Sequence, residues 1–221
     1  MSESPCVGLS FNDDDGVVAA RQAQALAALA ALLARDRTRT CVVAWSVCNE
    51  PGGPKSVPTA AAKTAQTAAL LELVRLAKAE GTRPVTFANI PEHCDEANHA
   101  CDFLCLNEYA GWYYDVGKDL GAIERDLETK FTAVHDTFRK PILISECGAD
   151  TLPGCHMMAP GLWSEEFQVG LRELASAGFC WLMLASGSPW KLPLATFESP
   201  PIASARRSCT GGTARRVCAP R

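Results

Sequence analysis

Short, continuous apolar runs set between longer segments of helical period are what most constrain this chain. Cys41-Val-Val-Ala-Trp-Ser-Val47, Pro84-Val-Thr-Phe-Ala-Asn89, Phe103-Leu-Cys-Leu-Asn-Glu-Tyr109 and Pro141-Ile-Leu-Ile-Ser-Glu-Cys147 each read as a strand. They lack the in–out alternation of a sheet with one wet face, so both faces are expected to be covered. Between them lie helical stretches. In residues 12–35 an acidic start, Asn12 to Asp15, suits N-capping and the helix dipole, and Leu26, Leu29, Leu32 and Leu33 recur on one face. Thr59 opens a second helix ending near Gly81. Asp119 to Phe138 is a third, with Leu120, Ile123, Leu127 and Phe131 on one side. Ser164 caps a fourth, with Glu165 and Glu166 in its first turn. Strand and helix in alternation define a parallel α/β fold. The pattern alone leaves open whether the sheet is a doubly wound sheet or a barrel. No Gly-rich phosphate loop follows a strand, which counts against a nucleotide-binding sheet.

Composition narrows the function classes. The chain has 221 residues, enough for one sizeable core, and a formal net charge of −4, which gives no reason to expect nucleic acid or an anionic membrane as partner. Its apolar stretches read as too short and interrupted for a transmembrane helix, and the first residues are not expected to form a signal peptide. The compartment is not assigned. Eleven cysteines, without a Cys-x-x-Cys pair, read as free thiols packed as small hydrophobes. His93, Cys94, His99 and Cys101 lack the usual zinc-ligand spacing, so no metal is expected. Beyond Phe179 the periodicity disappears, and Arg206, Arg207, Arg215, Arg216 and Arg221 have no nearby acids. Residues 179–221 are expected to be an aberrant, disordered tail, with a compact domain over 1–178.

Three strands end in polar residues: Asn49-Glu50-Pro51, Asn107-Glu108-Tyr109 and Ser145-Glu146-Cys147-Gly148. Carboxylates at strand ends are costly to bury unless paired or functional. In a barrel the C-terminal strand ends form the active face. Two carboxylates converging there suit glycoside hydrolysis, one as proton donor and one as attacking group.

Several of these segments, in this order, resemble glycoside hydrolase family 2. They are Leu33-Ala-Arg-Asp-Arg37, Val42 to Pro51, Arg83 to Phe87, Cys105 to Tyr113, Lys140 to Thr151 and Trp163 to Gln168, with Ser4 to Leu9 before them. The resemblance runs over about residues 3–175 and favours the branch that cleaves β-glucuronides. It implies a partial (β/α)8 TIM barrel that begins after the third strand, and retaining hydrolysis of a β-glycosidic bond without a cofactor. It implies Glu50 as acid/base, Glu146 as nucleophile, Asn49 near the sugar 2-hydroxyl, Tyr109 orienting the nucleophile, and Asn107 and Tyr113 lining the sugar pocket. Trp45 is expected in the core, while Trp112 is open between core and pocket. Glu108 stands where the family has Arg, and a charge reversal there is expected to disfavour an anionic substrate. Cys48 and Cys147 flank the two glutamates. The family's carboxylate-binding loop has no counterpart after Phe179. Open sheet edges would favour association between copies. Two other readings remain: another family 2 activity, on β-galactosides or β-mannosides, and a non-catalytic interaction module.

Overall fold

The computed structural model describes residues 1–4, 6, 9–11, 15–52 and 59–174. The acidic stretch Asn12 to Asp14 and the tail expected over 179–221 lie outside the described residues. Five parallel strands form one sheet in sequential order. They are β1 (Ser2–Glu3), β2 (Trp45–Asn49), β3 (Val85–Asn89), β4 (Leu104–Glu108) and β5 (Ile142–Cys147). Helices α1 (Asp15–Asp36), α2 (Ala60–Ala79) and α3 (Leu120–Phe138) separate successive strands, with two short 3-10 turns between β3 and β4. A further helical stretch, α4, covers residues 165–174. Sequential parallel order with helical crossovers is the wall of an α/β barrel rather than a sheet whose order reverses at a switch point.

Strand β1 is a finding of the structure. Two residues give too little apolar pattern to read as a strand. Its pairing with β2, through Ser2 N to Ala44 O at 3.0 Å and Ser4 N to Ser46 O at 2.8 Å, defines it. Ser2 Oγ also donates to Asp36 Oδ2 at 3.1 Å, tying the strand to the end of α1. Arg35 and Arg39 hold the same carboxylate, and the hydrogen bond from Arg35 is the main cause of its lowered pKa.

The helices end where their sequences dictate. Thr59 caps α2 by accepting from Ala62 N at 3.1 Å, and Gly81 closes it at φ +79°. Asp119 caps α3 through Ala122 N at 2.9 Å. Ser164 Oγ accepts from Phe167 N at 3.2 Å at the start of α4.

Apolar side chains fill the space between sheet and helices. Leu29, Leu32 and Leu33 of α1 and Leu70, Leu73 and Val74 of α2 pack on Trp45, Val47 and Phe87. Each such side chain, fully buried, is worth about 1.5–3 kcal/mol. Trp45 is fully buried, as expected of a core residue. Leu104, Leu106 and Ile142 meet Phe131 of α3, and Ala110 and Ile123 meet Phe167 and Leu171 of α4.

One expectation is corrected. The segment Gly16–Asp36 is long and apolar enough, by length and composition, to cross a membrane. In this fold its Ala25, Leu29, Leu32 and Leu33 stripe is buried against the sheet. Eight cysteines among the described residues are free thiols. Cys48 and Cys101 are buried, and burial pushes each thiol up to about 12. The exposed ring of His99 packs on the half-buried ring of Phe138 at 4.6 Å.

Candidate active site

The site stands at the C-terminal ends of β2, β4 and β5, and two β-bulges shape it. Ser46 pairs with Thr86, but Asn49 pairs with Ala88, so β2 spends one more residue than β3. Leu106 pairs with Ile144, but Asn107 pairs with Glu146, so β5 spends one more residue than β4. An extra residue re-aims the side chains around it. Each bulge lies beside one of the two glutamates.

On β2 the consequence is a strained residue. Glu50 adopts φ +45°, a left-handed conformation uncommon outside glycine, and its N–H donates to Ala88 O at 2.9 Å. On β5, Ser145 and Glu146 both reach groups of the β4 end. Ser145 Oγ donates to Asn107 Oδ1 at 2.8 Å, and Tyr109 Oη donates to Glu146 Oε2 at 2.8 Å.

Asn107 is the hub. Its Nδ2 donates to Glu50 Oε1 at 2.8 Å and to Asn49 Oδ1 at 3.0 Å, while its Oδ1 accepts from Ser145. The buried amide therefore spends both sides on the site and links the β2 glutamate to the strand that carries Glu146. The Tyr109 phenol is pushed well above its ordinary value by burial first, then by its hydrogen bond to Glu146 and by that carboxylate's charge. It is thus held as a donor to Glu146.

The expected site residues converge. Asn49, Glu50 and Asn107 form one hydrogen-bonded set and Tyr109 and Glu146 a second, the two linked through the strand that carries Ser145 and Glu146. Tyr113 joins through its ring, 4.9 Å from that of Tyr109. Trp112, open in the sequence, is half-buried and meets Trp163 edge-on at 4.8 Å. Sequence reasoning misses Ser145 as a member of the site and Trp163 as the partner of Trp112. Ser145 is adjacent to Glu146, and only the bulge brings it to Asn107. Trp163 is more than 50 residues from Trp112.

Glu108 departs from expectation. It is buried away from the pocket, its Oε2 paired with Lys130 of α3 at 3.0 Å and its Oε1 accepting from Ala110 N at 2.9 Å. Alternation along β4 explains this: Leu104, Leu106 and Glu108 face α3, and Asn107 faces the site. The Lys130 ammonium pairs with the charge of this carboxylate. Among the described residues, no group of three or more His, Cys, Asp or Glu side chains could hold a metal ion.

A parallel barrel wall with two carboxylates on its C-terminal rim defines a class, the α/β-barrel enzymes with rim-borne active sites. Residues 9–175 match the family described as "Glycosyl hydrolases family 2, TIM barrel domain", and the chain belongs to that family. It is similar to β-glucuronidase of Felis catus, 36% identical over 176 residues, and to that of Mus musculus, 35% identical over 175. Each match covers 78% of this chain and 25% of the relative, so the chain spans about a quarter of their length. Among solved structures, the β-glucuronidase of an uncultured Clostridium sp. superposes with a TM-score of 0.68 at 30% identity, covering 79% of this chain and 30% of that one. A β-glucuronidase from Ruminococcus gnavus gives 0.64 at 29% identity, covering 78% and 29%.

Proposed function

We propose that this chain carries the catalytic carboxylates of a retaining glycoside hydrolase acting on β-glucuronides. The observation that carries the proposal is the Asn107 amide, which holds Glu50 from β4 while Tyr109, two residues on, holds Glu146. Two carboxylates fixed separately by neighbouring donors suit a division of labour. Glu146, kept in place by a phenol that donates to it, attacks the anomeric carbon. Glu50 protonates the departing glycosidic oxygen. Water then enters, gives its proton to Glu50, and releases the sugar from Glu146 with its anomeric configuration retained. Retention calls for carboxyl groups about 5–5.5 Å apart. Asn49 and Asn107 supply hydrogen bonds to sugar hydroxyls, and Tyr113 lines the same pocket. The β-glucuronidase relatives favour a glucuronide over a galactoside or mannoside. The extent of the family match, residues 9–175, supports assigning residues 1–178 to the barrel domain.

The test is turnover of 4-nitrophenyl β-glucuronide by the purified chain, compared with the matching galactoside and mannoside. Glu50→Gln and Glu146→Gln are each expected to lower kcat by at least about a thousandfold, above the usual general-acid contribution for the nucleophile. Proton NMR of the first-formed product is expected to show the β-anomer. A folded chain without turnover on any of the three substrates overturns the hydrolase reading and leaves a non-catalytic module.

A further inference from the structure

Ser145 is the residue that the bulge adds to β5. Leu106 pairs with Ile144 and Asn107 with Glu146, so Ser145 falls between two rungs of the ladder. Regular alternation would send Ser145 and Glu146 to opposite faces, and the extra residue lets both reach the end of β4. Their partners there differ. Glu146 takes the hydroxyl of Tyr109, while Ser145 Oγ donates to Asn107 Oδ1 at 2.8 Å. The serine beside the nucleophile thus serves the amide that holds the other glutamate.

The two ends of that amide are chemically unlike: the nitrogen donates twice and the oxygen accepts. Glu50 Oε1 at 2.8 Å and Asn49 Oδ1 at 3.0 Å are both acceptors, and the nitrogen faces them. Asn107 is only 1% exposed, so its oxygen has to find a donor within the protein or stand unsatisfied at a cost. Ser145 supplies that donor on the side away from Glu50. Without it, the donor that the oxygen reaches by turning the amide over is the proton of Glu50 itself.

We propose that Ser145 is a positioning residue for the acid/base, acting through Asn107 to keep the transferable proton of Glu50 on Oε2. This rests on the hydrolase reading of Glu50 and Glu146. With Asn107 Nδ2 donating to Oε1, that oxygen is an acceptor, and the proton of the acid form sits on the other one. The bonds from Ser145 to Asn107 to Glu50 run in one direction, so each polarises the next. As Glu146 bonds to the anomeric carbon, the bond from that carbon to the aglycone oxygen breaks, and the Oε2 proton goes to that oxygen. Ser145 therefore acts on proton delivery to the leaving group rather than on the attack by its neighbour Glu146.

The experiment measures kcat/KM, which reports cleavage of the bond to the aglycone, for methyl and 2,4-dinitrophenyl β-glucuronide in the full chain. Methanol needs the proton to depart, while 2,4-dinitrophenolate leaves as its anion. Ser145→Ala is expected to lower the methyl value on the order of tenfold and the dinitrophenyl value by no more than about twofold. Ser145→Thr keeps the hydroxyl and is expected to restore the methyl value. Equal losses on the two substrates, which a mere tie between β4 and β5 would give, overturn the proposal, and so does no loss on either. In 15N-labelled protein the Asn107 Nδ2 hydrogens, assigned with Asn107→Asp, are expected to shift in Ser145→Ala, and unmoved signals also overturn it. A folded wild type that cleaves neither glycoside overturns the hydrolase reading, and shifted Asn107 signals would then still uphold the grip of Ser145 on Asn107.

Discussion

Tyr109 Oη lies 2.8 Å from Glu146 Oε2, across the bulge that gives β5 one residue more than β4. The bond joins the residue just past β4 to the penultimate residue of β5. Removing the hydroxyl in Tyr109→Phe takes away a hydrogen bond to a charged group, worth about 1.5–3 kcal/mol. The expected result is a fall in kcat of about 10- to 100-fold with KM little changed, read from steady-state kinetics on a chromogenic β-glucuronide. A complementary reading is spectroscopic. Glu146→Gln removes the negative charge, so the Tyr109 phenol should ionise at lower pH than in wild type, followed by ultraviolet difference absorption.

The Glu108–Lys130 pair is structural. Glu108 is buried and Lys130 partly exposed, so breaking the pair is expected to cost about 2–3 kcal/mol, below the figure for a fully buried pair. Urea unfolding of Glu108→Gln and Lys130→Met measures this. Because Glu108 faces α3, Glu108→Gln should leave KM for the anionic glucuronide within about twofold, a small difference in binding free energy. A large fall in KM would restore the idea that Glu108 repels the substrate.

Gly111 sits at φ +85°, and a Cβ there would lie 2.9 Å from Ile123 Cδ1. It begins the turn that delivers Trp112 and Tyr113, with its N–H donating to Tyr114 O at 2.7 Å. Gly111→Ala is expected to cost about 1–3 kcal/mol of stability through backbone strain. It should also raise KM, because easing the left-handed backbone shifts the turn that carries Tyr113. Thermal unfolding and kinetics on the same preparation test both effects.

His156 ties the segment after β5 to the start of α4. Its Nδ1 lies 2.8 Å from Glu166 Oε1, and its Nε2 lies 3.7 Å from Glu165 Oε2. The hydrogen bond to Glu166, then the two carboxylate charges, raise the imidazole above its ordinary value, and the bond to His156 holds Glu166 down to about 2. The raised histidine stabilises the tie fully below about pH 6.5 and loses that contribution as pH rises through its folded value. The lowered glutamate contributes above its ordinary value, about 4.3, and loses its share only as pH falls toward about 2. NMR titration of the His156 ring should give a midpoint above about 6.5 that returns toward it in Glu166→Gln. An unchanged midpoint in the variant would rule the pairing out.

Much of the fold was legible in the chain. Apolar runs at Val85–Asn89 and Ile142–Cys147, and the caps Thr59 and Asp119, are local signals that depend on near neighbours. The start of β2 was less legible. Cys41 to Ala44 is no less apolar than Trp45 to Cys48, yet the strand begins at Trp45, where pairing with Val85 begins. Strand β1 was not legible, because pairing with β2 defines its two residues.

For the site, the sequence by itself determined which residues stand at the strand ends, and family resemblance marked Glu50 and Glu146 among them. Residue type and order are enough for that. Only the tertiary structure decided which of these side chains meet. Register, and the one-residue bulges in β2 and β5, place Asn107 against Glu50 and Tyr109 against Glu146, and turn Glu108 toward Lys130. Along a strand a shift of one residue reverses the face, so facing depends on pairing across the sheet as well as on the string of residues. Trp163 shows the same limit at longer range, since its ring partner Trp112 and its hydrogen-bonding partners Thr151 and Leu152 come from other segments of the chain.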